Sequence, residues 1–206
     1  MFAIPSPDPG IEISVLSQGM SKGLRQSDGL QVIVRPEVAF GPLFVAAQYK
    51  NITSPTADGE AGVLAGLRGR VGGFDLAFSA TYNWNTNARR QADRDRLELG
   101  ATASRRFGRL TPRISIVYSP DDLGATRASL YAEAGAALGL FTGANLSANV
   151  ARRERDGGPD YTAFNAGLSY ALTHSITADL RYYDTAQSRL GAIYRARLVA
   201  SVRARF

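Results

Sequence analysis

Residues 194–206 read Tyr-Arg-Ala-Arg-Leu-Val-Ala-Ser-Val-Arg-Ala-Arg-Phe. Apolar side chains occupy every second position from Tyr194 to Phe206, and arginines fill four of the six positions between them. Because successive side chains of a strand point to opposite faces, this segment predicts a strand with one apolar and one cationic face. Period alone does not decide whether the apolar face packs in a core or meets lipid.

The same period of two recurs through the chain, and no helical period survives a scan. Clear alternation covers five further segments: 30–40, 74–84, 97–106, 110–118 and 176–183. Weaker alternation lies near six others: 11–20, 43–50, 60–71, 129–139, 143–151 and 161–172. We therefore predict twelve strands of roughly ten residues each, a length that can cross a bilayer core when the strands are tilted.

The connections between these segments alternate in length. Tight turns are expected at 41–42, 72–73, 107–109, 139–142 and 173–175, and longer polar loops at 22–29, 51–59, 85–95, 119–128, 152–160 and 185–193. Short turns at one end and long loops at the other are typical of outer-membrane barrels, because strands that cross hydrocarbon must close into a sheet without edges. We predict one all-β domain over residues 1–206, an up-and-down antiparallel transmembrane β-barrel. Residues 1–10 form a periplasmic lead-in, and the long loops face outward.

Composition excludes several classes of site. The 206 residues include no cysteine and one histidine, which removes a disulfide scaffold, a cysteine–zinc site, a thiol nucleophile and a multi-histidine metal site. We expect no cofactor and no bound metal. The 24 basic against 18 acidic residues first suggest nucleic acid. The arginines, however, alternate with small apolar residues instead of forming a basic helix or stacking platform, so no nucleic-acid partner is expected.

The alternative is a soluble β-sandwich or small barrel with the apolar face inward. Two features favour the membrane. The apolar face is rich in alanine, which fills a packed core poorly, and aromatic residues concentrate near strand ends, as in an interfacial girdle. These aromatic residues are Phe40, Phe74, Tyr82, Trp84, Tyr118, Tyr182, Tyr194 and Phe206.

The last segment resembles the C-terminal signal that the barrel-assembly machinery reads in bacterial outer-membrane proteins. Tyr194, Leu198, Val202 and Phe206 occupy the matching positions. The resemblance implies insertion into the bacterial outer membrane with that machinery as a transient partner. Residues 1–10 have neither a basic nor an apolar leader region, so we expect that a signal peptide absent from this sequence was cleaved.

A narrower resemblance is to the TorF-type porin family of outer-membrane β-barrels. Gly23 and Gln26-Ser27-Asp28-Gly29 match its first loop, whereas Lys22 replaces the usual arginine and Leu24-Arg25 depart from the pattern. Three later segments resemble its strands: Tyr131–Gly135, Tyr161–Tyr170 and Tyr182–Thr185. The resemblance implies a small porin and does not identify the solute.

The positions opposite the apolar face are the candidate pore lining. They are Arg35, Glu37, Lys50, Arg68, Arg70, Asp75, Glu98, Arg113, Glu133, Asp179, Arg181, Arg195, Arg197 and Arg203, with Glu12, Arg106 and Arg205 in the same phase. Basic residues outnumber acidic ones in this set, and confined arginines concentrate anions. We predict a passive channel for small solutes with anion preference. Barrels of about eight strands are filled by side chains and open channels have about 16–18, so a twelve-stranded barrel lies between them. A second hypothesis is therefore a non-conducting barrel whose lumen is filled by arginine–carboxylate pairs.

In this second hypothesis, the non-conducting barrel presents loops 85–95 and 152–160 to lipopolysaccharide or to a protein partner in the outer membrane. Enzymatic activity has little support. His174-Ser175 falls in a predicted turn, away from an orienting acid and a nucleophile. For Asp121-Asp122 we weigh a divalent-cation site against solvated turn residues, and we favour the solvated turn. We therefore predict that the protein is not an enzyme.

Overall fold

The computed structural model describes residues 6–54, 57–89 and 94–206. Its strands are β1 (Asp8–Leu16), β2 (Gly19–Ser21), β3 (Leu24–Ser27), β4 (Gln31–Phe40), β5 (Leu43–Asn51), β6 (Gly59–Val71), β7 (Phe74–Thr86), β8 (Asp95–Ser104), β9 (Leu110–Asp122), β10 (Arg127–Phe141), β11 (Ala144–Arg155), β12 (Tyr161–Ala171), β13 (Ile176–Asp184) and β14 (Arg197–Arg205). Three short 3₁₀ turns lie at Gly124–Thr126, Ser188–Leu190 and Ala192–Tyr194. No helix in the described ranges has both the length and the apolar character needed to cross a bilayer.

Twelve of these strands form one closed antiparallel barrel, which confirms the predicted fold class. Neighbours in sequence are neighbours in the sheet, and the barrel closes where β1 pairs with both β4 and β14. Closure gives every strand a hydrogen-bonded partner on both edges, as a sheet in hydrocarbon requires. We call the end with the tight connections the turn end and the opposite end the loop end.

The outer surface of the barrel is an apolar band. Leu43, Val63, Ile114, Leu168 and Leu180 are each about half exposed on outward-facing positions. Aromatic side chains sit near both rims, with Phe74, Phe141 and Phe206 at the turn end and Tyr49, Tyr82 and Trp84 at the loop end. The apolar phase of the alternation therefore lies outside the barrel, as expected for lipid contact.

The boundaries of the first and last strands differ from prediction. β1 begins at Asp8, so the lead-in is shorter than residues 1–10, and residues 1–5 lie outside the described ranges. The last strand begins at Arg197 instead of Tyr194, because residues 188–194 form two 3₁₀ turns before it. Alternating residues in a loop carry the same signature as a strand, so period extended this strand too far.

The largest departure concerns residues 22–29, which were predicted to form an external loop. Strands β2 and β3 pair with each other as a separate two-stranded hairpin, residues 19–27, between β1 and β4. Its tip makes contacts with barrel residues 76 and 139 positions away along the chain. The hairpin therefore lies inside the barrel near the loop end, and this lumenal hairpin organises the site.

Candidate functional site

The tip of the lumenal hairpin is a two-residue turn that rests on the inner wall of β12. Lys22 and Gly23 both have positive φ, 49° and 80°, a region that glycine enters without strain. A Cβ on Gly23 would collide with Ala163, so glycine also permits close contact with the wall. The Tyr161 hydroxyl donates a hydrogen bond of 2.7 Å to the Lys22 carbonyl oxygen. The backbone of the tip is thus fixed against one side of the barrel.

Apolar packing holds the same side of the hairpin. Leu24 is buried in a cluster whose other members are Tyr131, Ala151, Tyr161, Ala163 and Tyr194. The rings of Tyr161 and Tyr194 meet edge to face with centroids 5.5 Å apart. Tyr194 comes from the loop before β14, so the last long loop folds inward and packs against the hairpin. Burial of one leucine side chain contributes about 1.5–3 kcal/mol.

Charged contacts hold the other side of the tip. The Lys22 ammonium lies 2.6 Å from a carboxylate oxygen of Glu98 and 3.2 Å from one of Asp122. Asp122 also accepts from the Arg153 guanidinium at 2.5 Å and from the Ser129 hydroxyl at 2.8 Å. One lysine therefore connects the hairpin to β8 and β9.

These contacts extend into a wider ion-pair network. Arg96 lies 3.0 Å from both Glu60 and Glu98, and Lys50 lies 2.9 Å from Glu60. We call the seven residues Lys22, Lys50, Glu60, Arg96, Glu98, Asp122 and Arg153 the loop-end network. All seven side chains are at most 16% exposed, with Glu60 at 1%. Four cations and three carboxylates neutralise one another there, so this layer of the lumen is nearly balanced in charge.

Five members of the loop-end network were not among the predicted lining residues: Lys22, Glu60, Arg96, Asp122 and Arg153. Glu60 and Arg96 are in phase with the predicted strands, and extending the alternation by one residue past Leu97 finds Arg96. Asp122 is different. A register shift opposite Arg127 and Ser129 inserts an extra residue in β9, and such a bulge reverses the face of the residues after it. Simple alternation therefore cannot place Asp122. Arg153 was assigned to a loop, whereas β11 continues to Arg155.

The lumen near the turn end has a different composition. Glu37 lies 2.6 Å from Arg68 and 3.0 Å from Arg35, and Glu12 lies 2.6 Å from Arg205 and 3.6 Å from Arg203. Each of these two carboxylates thus serves two arginines. The four guanidinium groups are 35–67% exposed, so they face water. We call these six residues the turn-end vestibule, and its fixed charge is positive.

A chamber of about 500 Å³ lies between the vestibule and the hairpin. Ser21, Lys22 and Gly23 line it from the hairpin, and its wall is polar: Ser104, Thr111, Arg113, Tyr131, Glu133, Ser147, Asn149, Asn165, Arg181, Tyr183 and Arg203. Arg181 is fixed by Asp179, by Asn165 at 2.7 Å and by Ser147 at 2.8 Å. Among the described residues, Arg113 pairs with Glu133 alone, at 3.2 Å, and is 48% exposed. The chamber is a polar cavity lined by three arginines and one glutamate.

The structure places most of the predicted lining residues in three regions. Lys50 and Glu98 are in the loop-end network, while Arg113, Glu133 and Arg181 line the chamber and Asp179 pairs with Arg181. Arg35, Glu37, Arg68 and Arg203 are in the vestibule, and Arg203 also lines the chamber. Arg70 and Asp75 form an exposed pair at the turn-end rim. Arg197 contacts Gln18 and the Ala192 carbonyl at the loop end.

Two placements were wrong. Arg195 precedes β14 in an exposed loop, so it does not continue the arginine series of that strand. Tyr194 was expected on the outer face with Leu198, Val202 and Phe206, but it is 5% exposed and packs in the lumen. The other three residues do lie on the outer face of β14 and are 46–71% exposed. Whether they act as an assembly signal stays a prediction.

The structure also places His174 and Asp122, the residues considered above for catalysis and for cation binding. His174 is exposed in the turn between β12 and β13, as expected from its position. Asp122 is not a solvated turn residue, because it is 5% exposed and paired with three cations. Within the described ranges, no three His, Cys, Asp or Glu side chains come together as a metal-ligand set.

Comparison with known proteins assigns the family. A family model described as Gram-negative porin matches residues 13–190. The chain belongs to the Gram-negative porin family. As a member, this porin is an outer-membrane channel for small solutes, in a family of channels and not of enzymes. No curated protein matches it in sequence.

Solved porins share the fold at low sequence identity. The KdgM porin is 11% identical, with 96% of this chain and 99% of that chain covered and a TM-score of 0.66. The KdgM porin in complex with disordered oligogalacturonate is 10% identical, with the same coverage and a TM-score of 0.70. The NanC porin is 10% identical over 95% and 98% of the two chains, with a TM-score of 0.64.

Proposed function

We propose that this porin is a passive channel that prefers anions and selects them at the turn-end vestibule. The observation that carries the proposal is the sharing of Glu12 and Glu37 by two arginines each. Positive fixed charge in a confined, partly dehydrated passage raises the local concentration of anions and repels cations. Because the four guanidinium groups are exposed, passing ions interact with them directly.

The chamber supports the same proposal at the next level of the path. Arg113 and Arg203 are each about half exposed and have one carboxylate contact each, at 3.2 Å and 3.6 Å. A small carboxylate or phosphate entering from the vestibule finds guanidinium forks and hydroxyl or amide donors from Tyr183 and Asn149. The KdgM porin, which shares this fold, has been solved in complex with oligogalacturonate, an acidic oligosaccharide, and this supports an anionic class of solute.

Passage across the whole barrel then depends on the lumenal hairpin. The hairpin stands between the chamber and the loop end, and the loop-end network occupies the lumen beside its tip. We propose that this layer is the narrowest part of the path and sets the size limit for solutes. Barrels of about eight strands are filled by side chains and porins of about 16–18 strands hold an open aqueous channel, so a twelve-stranded lumen is intermediate in width.

Planar-bilayer recording under a KCl gradient tests the proposal. We expect discrete conductance with a reversal potential on the chloride side, and a smaller chloride preference in the Arg113→Gln/Arg203→Gln double variant. Arg152→Gln is a matched control, because Arg152 lies outside the lumen on β11. Cation selectivity in the wild type contradicts anion preference, and equal selectivity of the double variant and wild type contradicts the assigned residues.

A closed barrel is the second candidate. The packing of Leu24 and Tyr194 against Tyr161 favours it, because two long loops then fill the lumen instead of extending outward. Such a barrel presents the loop 152–160, whose Arg152 and Arg155 contact Asp160, to lipopolysaccharide or to an outer-membrane protein partner. The other candidate loop, 85–95, lies partly outside the described residues. Absence of conductance, with a partner lost on replacing 156–159, supports this candidate.

Three finer assignments are part of the proposal. The turn end faces the periplasm, the barrel-assembly machinery recognises the outer face of β14 during insertion, and a leader directs export. The TorF-type subgroup is supported by Gly23 and Gln26–Gly29, which now lie in or next to the lumenal hairpin. A TorF-type porin solved with this loop outside its barrel contradicts that assignment.

A further inference from the structure

One tight turn of the barrel concentrates positive charge. Residues 105–109 between β8 and β9 read Arg-Arg-Phe-Gly-Arg, and we call them the basic turn. The other four tight turns, at 41–42, 72–73, 142–143 and 172–175, contain no Lys, Arg, Asp or Glu. Charge is therefore not a general feature of the tight turns, and the basic turn requires its own explanation.

Arg105 is built into the lipid-facing side of the rim. Its guanidinium lies 5.1 Å from the ring centroid of Phe74 and 5.0 Å from that of Phe107. Both rings are exposed on the outer surface, at 42% and 53%. Contacts within about 6 Å of a ring face stabilise a guanidinium while leaving its N–H groups available. The two rings hold the charge at the level where an aromatic girdle meets lipid headgroups.

The hydrogen-bond donors of the basic turn are largely unused. Over the described part of the chain, the Arg105 guanidinium contacts two rings and makes no hydrogen bond or ion pair, while its backbone N–H donates to the Pro112 carbonyl oxygen. Arg106 and Arg109 each use Nε for one backbone carbonyl, that of Gly108 at 2.9 Å and that of Gly139 at 2.6 Å. No described carboxylate pairs with any of the three. By contrast, Arg70 at the same rim is bound by both oxygens of Asp75.

We propose that Arg105, with Phe74 and Phe107, is a binding site for the phosphate of an anionic phospholipid in the adjoining leaflet. Arg106 and Arg109 line a cavity with Thr111 and Asn145 on the lumenal side of the rim, so they are not part of this site. Guanidinium groups match phosphate oxygens in geometry and charge, and the flanking rings contact the glycerol and upper acyl chains. Each basic residue near an anionic lipid surface strengthens binding by about fivefold. The site lies outside the lumen, so it depends on membrane insertion and not on the proposed anion preference.

Native mass spectrometry of the detergent-solubilised porin tests the site. The protein is titrated with phosphatidylglycerol and with phosphatidylcholine of the same acyl chains. We expect wild type to bind phosphatidylglycerol several-fold more tightly, and Arg105→Gln to lose about fivefold of that affinity. Inorganic phosphate is added as a competitor, and we expect it to displace lipid poorly because it lacks the acyl contacts.

Matched variants separate the site from general charge and from folding. Arg152→Gln removes one outer-surface charge at the loop end and should leave both affinities unchanged. Phe107→Leu retains all three arginines and should weaken phosphatidylglycerol binding less than Arg105→Gln does. Heat-modifiable migration on a gel reports folding of each variant. Equal affinity for the two lipids, an unaffected Arg105→Gln, or full displacement by inorganic phosphate overturns the proposal.

Discussion

The two ends of the lumen use the same residue types in opposite ways. In the loop-end network, Glu60 is 1% exposed and Arg96 8%, and every carboxylate contacts at least two cations. In the turn-end vestibule, Arg203 and Arg205 are 54% and 67% exposed and share one carboxylate. Water is what differs. Buried charges fix the hairpin, and hydrated charges remain available to solutes.

Solvent also decides how strongly each group depends on its partners. A buried ion left without its partner loses both its hydration and its Coulomb attraction, which costs several kcal/mol. An exposed ion regains water, so an exposed pair contributes at most about 1 kcal/mol. The loop-end network should therefore control stability, and the vestibule should control selectivity. The predictions below test this division.

The largest effect is expected from Asp122→Ala. The change leaves Arg153 without a carboxylate and removes one of two from Lys22, so unfolding should become easier by about 3–5 kcal/mol. The measurement is a urea titration in lipid vesicles, followed by the fluorescence of Trp84, the sole tryptophan. Glu37→Ala in the vestibule is the control and should cost about 1 kcal/mol or less. Similar losses in both variants contradict the comparison.

Removal of the lumenal hairpin comes next. Leu16 pairs with Gln31, so two glycines in place of residues 19–27 still allow β1 and β4 to join. Single-channel conductance in planar bilayers should then rise several-fold, since the tip and Leu24 no longer occupy the lumen. Selectivity should remain anionic because the vestibule is unchanged. Unchanged conductance means that the hairpin is not the narrowest layer.

Salt should separate the two ends without mutation. The Debye length falls from about 10 Å at 0.1 M to about 3 Å at 1 M salt, which screens hydrated charges far more than buried ones. The chloride preference of the wild type should decrease between these concentrations of KCl, while its unfolding free energy should change little. A parallel loss of stability would show that the loop-end network is also hydrated.

The smallest effect is expected from Arg70→Gln at the turn-end rim. Arg70 and Asp75 are 67% and 52% exposed, so their two hydrogen bonds compete with water. We expect the smallest change of the series in the same urea titration, because water replaces the lost contacts. A loss as large as that of Asp122→Ala would show that contact geometry outweighs burial in this barrel.

The sequence predicted the barrel well because alternation has a direct physical cause. Lipid requires an apolar side chain on the outward face of every strand. The apolar positions within 74–84 and 198–206 therefore identify the outward face of those strands. The same rule located Arg35, Glu37 and Arg203 on the inner side. These predictions needed only local information, since each side chain of a strand lies on one of two faces and its neighbours in sequence indicate which one.

The lumenal hairpin was missed because its position depends on distant residues. Residues 22–29 are polar and short, as an external loop would be, and only Glu98, Asp122 and Tyr161 show why they turn inward. The bulge that turns Asp122 toward Lys22 has no periodic signature. Tyr194 alternates like a strand residue, yet the buried cluster holds it in the lumen. Contacts far apart in sequence are not contained in a local pattern.

The ladder that closes the barrel has consequences for folding. β1 and β14 share five paired positions, from Glu12–Arg205 to Leu16–Ser201, whereas β6 and β7 share thirteen. The shortest ladder of the barrel thus joins segments that are about as distant along the chain as any two strands can be. Contacts of such separation are slow to form, because a large loop must close before they contribute. The seam between β1 and β14 should be the last ladder to form and the first to open under mechanical load.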